Sequence, residues 1–357
     1  MPTESASLSL LSIFSLVSFF IFLLISKYSN KIGSGVLLDS DFEKPQAFHK
    51  ELTPRSGGLA AIISLCIFFI LYYLLFKKFF LEYLILSIPI FLLGFLEDIK
   101  FKFSANYRLI MMISILTFFI YFFQINIRGV DVIYLSTWMK NPLFSLIFVL
   151  LCFLFIINGS NLIDGFNGLL VIHLLIINIT LVFFNFNYGS EDLGWVIIAQ
   201  IVILFSLFLF NFPKAKIFMG DSGSYLFGSL VALNIIKTNN SNQEASSFFF
   251  CILLFYLFFE VFFSFFRKLY LKKSPMKPDK YHLHMLLFNF LEKSGRFKDC
   301  NYINSVIINL TYIFLICPAF FFFDNSFVCK YVFSFLLVIY ILLYYFLYSF
   351  QKKNVKL

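Results

Sequence analysis

Long apolar runs recur along almost the whole chain, and they constrain its fold more than any other feature. A helix needs about 20 mainly apolar residues to cross a bilayer, because its backbone polar groups must be satisfied within the segment. The sequence predicts an all-α, polytopic membrane protein with about 11 transmembrane helices, forming one integral-membrane domain over residues 1–357. The eleven segments lie at about 8–26, 59–76, 79–96, 107–125, 143–158, 169–185, 194–211, 222–236, 247–266, 303–323 and 327–349.

Composition excludes an ordinary soluble protein. Only 13% of the 357 residues are charged and 61% are hydrophobic, whereas soluble domains average about a quarter charged residues. The first segment begins without a lysine-led region and is not followed by a small-residue cleavage site, so we interpret it as a retained helix.

Lysine and arginine are distributed unevenly between the two sides of the predicted topology. Of the 28 such residues, those in the outer set are Lys77, Lys78, Arg128, Lys140, Lys237 and Lys330, and all the others fall on the opposite side. Cytoplasmic loops carry the excess of these residues. The pattern predicts an outer N-terminus and a cytoplasmic C-terminus with a basic tail at 350–357. The net charge of +9 then reflects membrane orientation, and no nucleic-acid partner is predicted.

The segment 158–168 places Asn161, Asp164 and Asn167 at three-residue spacing directly after an apolar run. In a helical or turn-like segment such side chains lie near one face. Carboxylate and amide oxygens suit a hard cation, and the neighbouring glycines let the backbone approach a phosphate. A Gly/Asn turn between helices is the plainer alternative.

The segment 218–224 has the same character. Asp221 lies between Gly220 and Ser222 at the start of a predicted helix. Backbone amides at a helix start can hold an anion, while the carboxylate is free to bind a cation. The alternative is a helix cap in a tight turn.

Two further clusters flank predicted helices. Glu97 and Asp98 end an apolar run; adjacent carboxylates there can hold Mg²⁺, or one can act as a base while the other orients it. A helix-ending charge pair is the alternative. The segment 53–58 could bring Arg55 and backbone amides to a phosphate, or it is a Pro/Gly linker.

The longest predicted cytoplasmic loop contains His282 and His284. Their His-x-His spacing in an extended segment points both rings the same way. With Lys277, Lys280 and Arg267 nearby they indicate a phosphate-binding patch, and a basic surface loop is the alternative. A zinc site is disfavoured because no third His or Cys lies near in sequence.

All these clusters fall on the predicted cytoplasmic side. Carboxylates, amides and bases at one membrane face indicate a site for a phosphorylated, metal-bound substrate, and the apolar remainder implies a lipid co-substrate. A secondary transporter is the competing class, but it should place charges near the midplane of broken helices and show related halves. The sequence shows neither.

The motifs, in order, resemble those of the polyprenyl-phosphate N-acetylhexosamine-1-phosphate transferase family, glycosyltransferase family 4. The resemblance runs from about residue 49 to 286. It rests on TPRxGG at 53–58, the acidic pair at 97–98, NxxNxxDGxxGL at 158–169, FMGDxGS at 218–224 and SPxxPDxxHxH at 274–284. The histidine pattern is more similar to the branch that initiates O-antigen and teichoic acid than to the peptidoglycan translocase.

The resemblance implies transfer of an N-acetylhexosamine-1-phosphate from a UDP-sugar to undecaprenyl phosphate, releasing UMP and initiating a lipid-linked surface glycan such as O-antigen. It implies a cytoplasm-facing catalytic cleft in a bacterial inner membrane, with Mg²⁺ as cofactor and Mn²⁺ as its substitute. Membrane lipid is a further partner, and a homodimer is left open. The lipid phosphate is largely dianionic near neutral pH, since its second pKa is about 6. Direct attack is therefore favoured over a covalent aspartyl intermediate.

The resemblance also implies roles for individual residues. These are Asn161 and Asp221 as metal ligands; Phe218 stacked on uracil with Asn167 near it; Asp98 as the base beside Glu97; Asp164 holding the nucleotide and metal geometry; and His282, His284, Arg55 and Lys280 contacting phosphates or sugar.

Three positions depart from the family pattern. The first member of the acidic pair is Glu97, the second Asp of the DGxDG pattern is Asn167, and Met285 stands where another histidine is usual. A catalytically silent homologue acting as a scaffold is therefore a further alternative.

Overall fold

A computed structural model describes residues 4–29, 35–39, 52–101, 103–242, 244–275 and 277–354. Residues 49–51 of the motif-bearing region, Lys102, Met276 and residues 355–357 of the predicted tail lie outside this part. The described chain is almost wholly helical. Its elements are α1 (Glu4–Tyr28), β1 (Leu38–Asp39), β2 (Thr53–Pro54), α2 (Gly57–Phe76), α3 (Leu81–Asp98), α4 (Ala105–Phe122), α5 (Ile133–Trp138), α6 (Pro142–Ile163), α7 (Leu169–Tyr188), α8 (Glu191–Asn211), α9 (Gly220–Ser241), α10 (Ser247–Leu253), α11 (Phe255–Tyr270), α12 (Leu283–Ser294), α13 (Cys300–Phe321) and α14 (Ser326–Asn354).

The predicted all-α, polytopic membrane fold is confirmed. By length and composition, eight helices in the described ranges could cross a membrane: α1, α2, α4, α6, α7, α8, α13 and α14. The pair α10 and α11, bent by 72° at its break, would make a ninth if it forms one span.

The predicted number of eleven spans is not confirmed, although all eleven segments lie largely within helices. The two that fall short are α3 and α9. Helix α3 carries the three carboxylates Glu82, Glu97 and Asp98, and α9 is rich in Gly, Ser and Asn.

Helix α9 is polar because protein, rather than lipid, surrounds it. It is buried along nearly its whole length and packs against α2, α3, α6 and α7. A Cβ on Gly228 would lie 2.9 Å from Ile157 Cα, so the glycine permits close approach of α6. Asn234 donates a hydrogen bond to Gln200 Oε1 at 2.8 Å and accepts one from Tyr83 at 2.9 Å. These bonds satisfy polar groups inside the bundle.

Several short elements were not predicted from the sequence: α5, α12, the break between α10 and α11, and the strand pair. Strands β1 and β2 are antiparallel, with Asp39 opposite Thr53. The Arg55 backbone N–H donates to Leu37 O at 2.9 Å and extends this pairing. The small sheet therefore brings Asp39 beside the segment that leads into α2.

Candidate active site

The polar clusters meet at one end of the bundle, around a cavity of about 860 Å³. The wall that these clusters supply contains Arg55, Glu97, Asn158, Asn161, Asp164, Phe218, Asp221 and His282. Another wall is apolar and contains Leu109, Met112, Leu151, Leu154, Phe155, Phe262, Phe265 and Phe266. The cavity therefore combines a charged region with an apolar one.

The segment that leads into α2 docks directly on the segment that leads into α9. Phe218 N–H donates to Pro54 O at 2.8 Å, and Gly57 N–H donates back to Phe218 O at 2.9 Å. A Cβ on Gly58 would lie 2.2 Å from Ser222 Oγ and 2.4 Å from Gly223 N. Contacts that short are impossible, so this motif needs glycine for packing between the two segments.

Arg55 lies between two carboxylates at this junction. Its Nη2 and Nε donate to Asp39 Oδ2 at 2.8 and 3.1 Å, while its Nη1 is 4.0 Å from Asp221 Oδ2. Both pairs are largely shielded from water, and the arrangement places a fixed cation beside Asp221.

Asp221 is also contacted by the end of α6. Asn161 Nδ2 donates to Asp221 Oδ1 at 2.6 Å and lies 3.2 Å from Ser224 Oγ. Both contacts use the amide nitrogen of Asn161, which leaves its amide oxygen available for a cation. Asn161 and Asp221 are therefore in direct contact, as two ligands of one metal ion would have to be close together.

Asp164 ends α6 and lines the same cavity. It accepts a hydrogen bond from the Gly220 backbone N–H, yet burial and the negative charge of Asp221 raise its pKa to about 7. A concentration of carboxylates that raises a pKa in this way favours a bound cation.

The oxygen donors of this cluster fit a hard cation such as Mg²⁺. Asp221, Asp164 and the amide oxygen of Asn161 are ligands of the type Mg²⁺ takes, together with waters and substrate phosphates. Within the described residues no group of three or more His, Cys, Asp or Glu is arranged to hold a metal. The protein would therefore supply only part of the coordination shell.

Asp98 lies beneath the first turn of α9 and is 1% exposed. Its Oδ1 accepts from Asp221 N–H at 2.9 Å, and its Oδ2 accepts from Ser222 N–H at 2.9 Å and from the Ser222 hydroxyl. Burial and the charge of Asp221 raise its pKa to about 8. Both oxygens hold the helix start in this conformation, and Glu97 rather than Asp98 lines the cavity.

Glu97 faces Arg108, whose Nη1 lies 3.2 Å from Glu97 Oε2. Both side chains line the cavity and both are largely shielded. The pair links the end of α3 to α4 and places a second guanidinium at the charged region.

We expect Glu97→Asp to be tolerated, with turnover reduced about three-fold or less. The shorter side chain weakens the contact with Arg108, which is worth about 1 kcal/mol or less for a pair of this kind. The measurement is the release of UMP by purified protein, which is the product that the family resemblance implies. A loss as large as that of Glu97→Gln would show that the carboxylate must reach a ligand.

Phe218 and Asn167 are predicted near the same base, but Asn167 is not part of the cavity wall. Phe218 lines the cavity, as a stacking role requires. Asn167 Nδ2 donates to Pro213 O at 2.9 Å, and its backbone N–H donates to Asn301 Oδ1 at 2.8 Å. The shared face predicted for Asn161, Asp164 and Asn167 is therefore wrong at the third residue, because α6 ends at Ile163 and the following turn redirects the chain.

His282 is 2% exposed and lines the cavity. Its Nδ1 is 3.0 Å from Glu260 Oε1, and its Nε2 is 3.4 Å from Asp279 Oδ1. Burial works against ionisation of Asp279, but the hydrogen bond from Arg267 holds its pKa below the usual value. The histidine is thus fixed between two carboxylates.

His284 lies behind His282 and is absent from the cavity wall. The two rings stack with 5.6 Å between centroids and 7° between planes, which agrees with the common direction predicted for them. His284 lies inside α12 rather than in an extended segment, and its Nδ1 is 3.2 Å from Tyr256 OH. Burial lowers its pKa to about 3, so this ring is neutral and buried away from the ligand space.

Of the two lysines in the predicted basic patch, the one assigned a substrate contact is not the one at the cavity. Lys277 lines the cavity, whereas Lys280 is exposed and does not. Lys268 Nζ donates to the backbone oxygens of Lys277 and Pro275 at 2.7 and 3.2 Å, and so ties the loop to α11.

We expect Lys277→Ala to raise the KM for an anionic substrate about three- to ten-fold, because a cation at the wall attracts phosphate. Lys280→Ala is the matched control and should leave the KM within two-fold. The reverse order in steady-state kinetics would restore the prediction made from sequence.

Three residues near the site were not predicted. Asp39 is not part of any motif, and Tyr340 lies far along the chain on α14. Lys268 comes after an apolar run that does not indicate where its side chain points. The sequence carries no signal for their contacts: Asp39 pairs with Arg55, Lys268 bonds to the backbone oxygens of Pro275 and Lys277, and Tyr340 bonds to Glu260, 80 residues away.

Fold and site together define a helical membrane protein with a carboxylate- and amide-rich cavity that also has an apolar wall. The family model "Glycosyl transferase family 4" matches residues 80–239. The chain is 27% identical over 289 residues to the undecaprenyl-phosphate alpha-N-acetylglucosaminyl 1-phosphate transferase of Thermotoga maritima, covering 80% of this chain and 82% of that protein. It is 32% identical over 239 residues to the phospho-N-acetylmuramoyl-pentapeptide-transferase of Dictyoglomus turgidum, covering 62% and 73%.

The chain belongs to glycosyl transferase family 4.

Proposed function

We propose that this protein transfers an N-acetylhexosamine-1-phosphate from a UDP-sugar to undecaprenyl phosphate and releases UMP. The observation that carries the proposal is the convergence of Asp221, Asn161, Asp164 and Arg55 on one cavity that also has an apolar wall. Acids, an amide and a guanidinium suit a metal-bound diphosphate. The apolar wall suits the chain of a lipid phosphate. The names of the two relatives support the same class of reaction.

Mg²⁺, with Mn²⁺ as a substitute, would be held by Asp221 and Asn161, with Asp164 beside them. When bound, the cation neutralises the phosphates that must approach each other and makes the leaving nucleotide a weaker base. Arg55 would add positive charge at the diphosphate, and Phe218 would stack on uracil.

The reaction we propose is a direct displacement. An oxygen of the lipid phosphate attacks the phosphorus that carries the sugar, and the bond between this phosphorus and the bridging oxygen of UMP breaks. UMP leaves with the electron pair. The lipid phosphate needs little deprotonation, since its second pKa is about 6. The occupied oxygens of Asp98 also disfavour an aspartyl intermediate there.

Two alternative roles are therefore proposed for Asp98. As the base predicted from sequence, it would act only if Ser222 released it. As a positioning residue, it holds Asp221 in place at the start of α9, and its hydrogen bonds support this second role.

We place the protein in the bacterial inner membrane with the cavity towards the cytoplasm, where the excess of Lys and Arg is predicted. In this setting it would initiate a lipid-linked surface glycan, O-antigen or a similar polymer. A transporter is not favoured, because the charged groups around the cavity gather at helix ends.

The test is incubation of the purified protein in membranes with undecaprenyl phosphate, Mg²⁺ and a panel of UDP-N-acetylhexosamines, followed by measurement of the nucleotide released. UMP from one donor, abolished by EDTA, would support the reaction and identify the sugar. UDP would mean ordinary glycosyl transfer and would overturn the mechanism. Absence of any nucleotide product across the panel would favour the silent scaffold.

A further inference from the structure

A buried chain of hydrogen bonds connects α14 to the cavity wall. The Tyr340 hydroxyl donates to Glu260 Oε2 at 2.7 Å, and Glu260 Oε1 is 3.0 Å from His282 Nδ1. The three residues are 3%, 1% and 2% exposed. His282 lines the cavity, so the chain ends at the ligand space.

The chemistry of this chain fixes one ring nitrogen of His282. An ionised carboxylate can only accept hydrogen bonds, so the nitrogen that faces Glu260 must carry the proton. Leu283 N–H also donates to Glu260 Oε1, at 3.1 Å. Glu260 is thus held from both sides, by Tyr340 at one oxygen and by the start of α12 at the other.

The opposite edge of the ring is left for a ligand. His282 Nε2 is 3.4 Å from Asp279 Oδ1, which is longer than a strong hydrogen bond. Asp279 is itself paired with Arg267 Nη1 at 3.0 Å. A phosphate oxygen that entered the cavity could therefore take the place of Asp279 as the acceptor of a hydrogen bond from Nε2–H.

We propose that Tyr340 is a positioning residue that acts through Glu260 to hold His282, so that Nδ1–H donates to Glu260 and an N–H at Nε2 is directed to the phosphates of the sugar donor. The identity of that ligand rests on the proposed function. Tyr340 lies outside residues 80–239 and beyond every motif of the sequence. The last helix of the described chain is thereby part of the site.

The kinetic test compares Tyr340→Phe with Tyr344→Phe. Tyr344 is one helical turn away, with its ring stacked at 6.4 Å from that of Tyr340, and its buried hydroxyl has no hydrogen-bond partner among the described residues. We expect Tyr340→Phe to raise the KM for the UDP-sugar about ten-fold, the lower end of the effect of removing a group that orients a histidine. The KM for undecaprenyl phosphate should stay within two-fold, and Tyr344→Phe should match the wild type.

A double-mutant cycle separates positioning from a general structural effect. If Tyr340 acts through His282, Tyr340→Phe should change nothing further in a His282→Gln background. Additive effects, or an unchanged KM in the single variant, would overturn the proposal.

A measurement independent of activity uses the low histidine content. The chain has four histidines, so ¹⁵N-histidine labelling gives few signals, and His282→Gln assigns the one of interest. We expect a proton on Nδ1 of His282, and a change in its nitrogen shifts in Tyr340→Phe but not in Tyr344→Phe. An unchanged spectrum would contradict the proposal. If the spectra are as expected but no donor yields UMP, the positioning role of Tyr340 stands and the proposed transferase function is rejected.

Discussion

We expect Asp221→Asn to lower UMP release about a thousand-fold or more and to remove its dependence on Mg²⁺. The carboxylate is the centre of the cluster, contacted by Asn161 at 2.6 Å and by Arg55 at 4.0 Å. Several kcal/mol of charge stabilisation are lost when a metal ligand becomes neutral, and each 1.36 kcal/mol corresponds to about ten-fold in rate. The measurement is turnover at a series of Mg²⁺ concentrations.

The matched control is Asp192→Asn, which makes the same change at a distant carboxylate. Asp192 pairs with Lys78 at 2.6 Å. It lies in the first turn of α8 and is not part of the cavity wall. It should retain wild-type turnover. Normal, Mg²⁺-dependent activity in Asp221→Asn would remove this residue from the metal site.

The second large effect is expected from Asp98→Asn. The amide offers one acceptor oxygen where the carboxylate offers two, and its NH₂ group would face the N–H of either Asp221 or Ser222. Leaving a buried group unsatisfied costs about 1–3 kcal/mol. We therefore expect a lower thermal unfolding temperature, a weakened Mg²⁺ dependence, and turnover reduced about a hundred-fold or more because Asp221 is displaced.

Ser222→Ala distinguishes the two roles considered for Asp98. It removes one donor to the carboxylate without changing its charge. If Asp98 positions α9, this variant should lose about 1 kcal/mol of stability and part of its activity. If Asp98 is the base, release from Ser222 should leave turnover unchanged or raise it, and Asp98→Asn should keep its Mg²⁺ affinity and unfolding temperature.

The sequence was sufficient to predict the helical membrane fold and several of the polar groups that line the cavity. Apolar runs directly predict helices, because the bilayer imposes both their length and their composition. Short polar segments between them were just as informative. Segments 53–58, 158–164 and 218–221 do come together, as their common placement on one predicted side of the membrane indicated.

What could not be predicted depends on the direction of side chains and on burial by distant elements. Asn167 follows the same spacing as Asn161 and Asp164, but a turn sends its amide to Pro213. Lys277 and Lys280 are equivalent in sequence until the fold of the loop separates them. The pairing of Tyr340 with Glu260 spans 80 residues, and no periodicity indicates it.

The buried polar helix α9 has a consequence for how the protein is made. Insertion of a segment from the translocon into lipid depends on its own hydrophobicity, and α9 carries Gly, Ser, Asn and Lys237 in place of an apolar surface. It fits the bilayer only when α2, α3, α6 and α7 surround it. The helix that carries Asp221 in its first turn therefore enters the membrane together with its neighbours, so assembly of the proposed metal site waits on completion of the bundle during biogenesis.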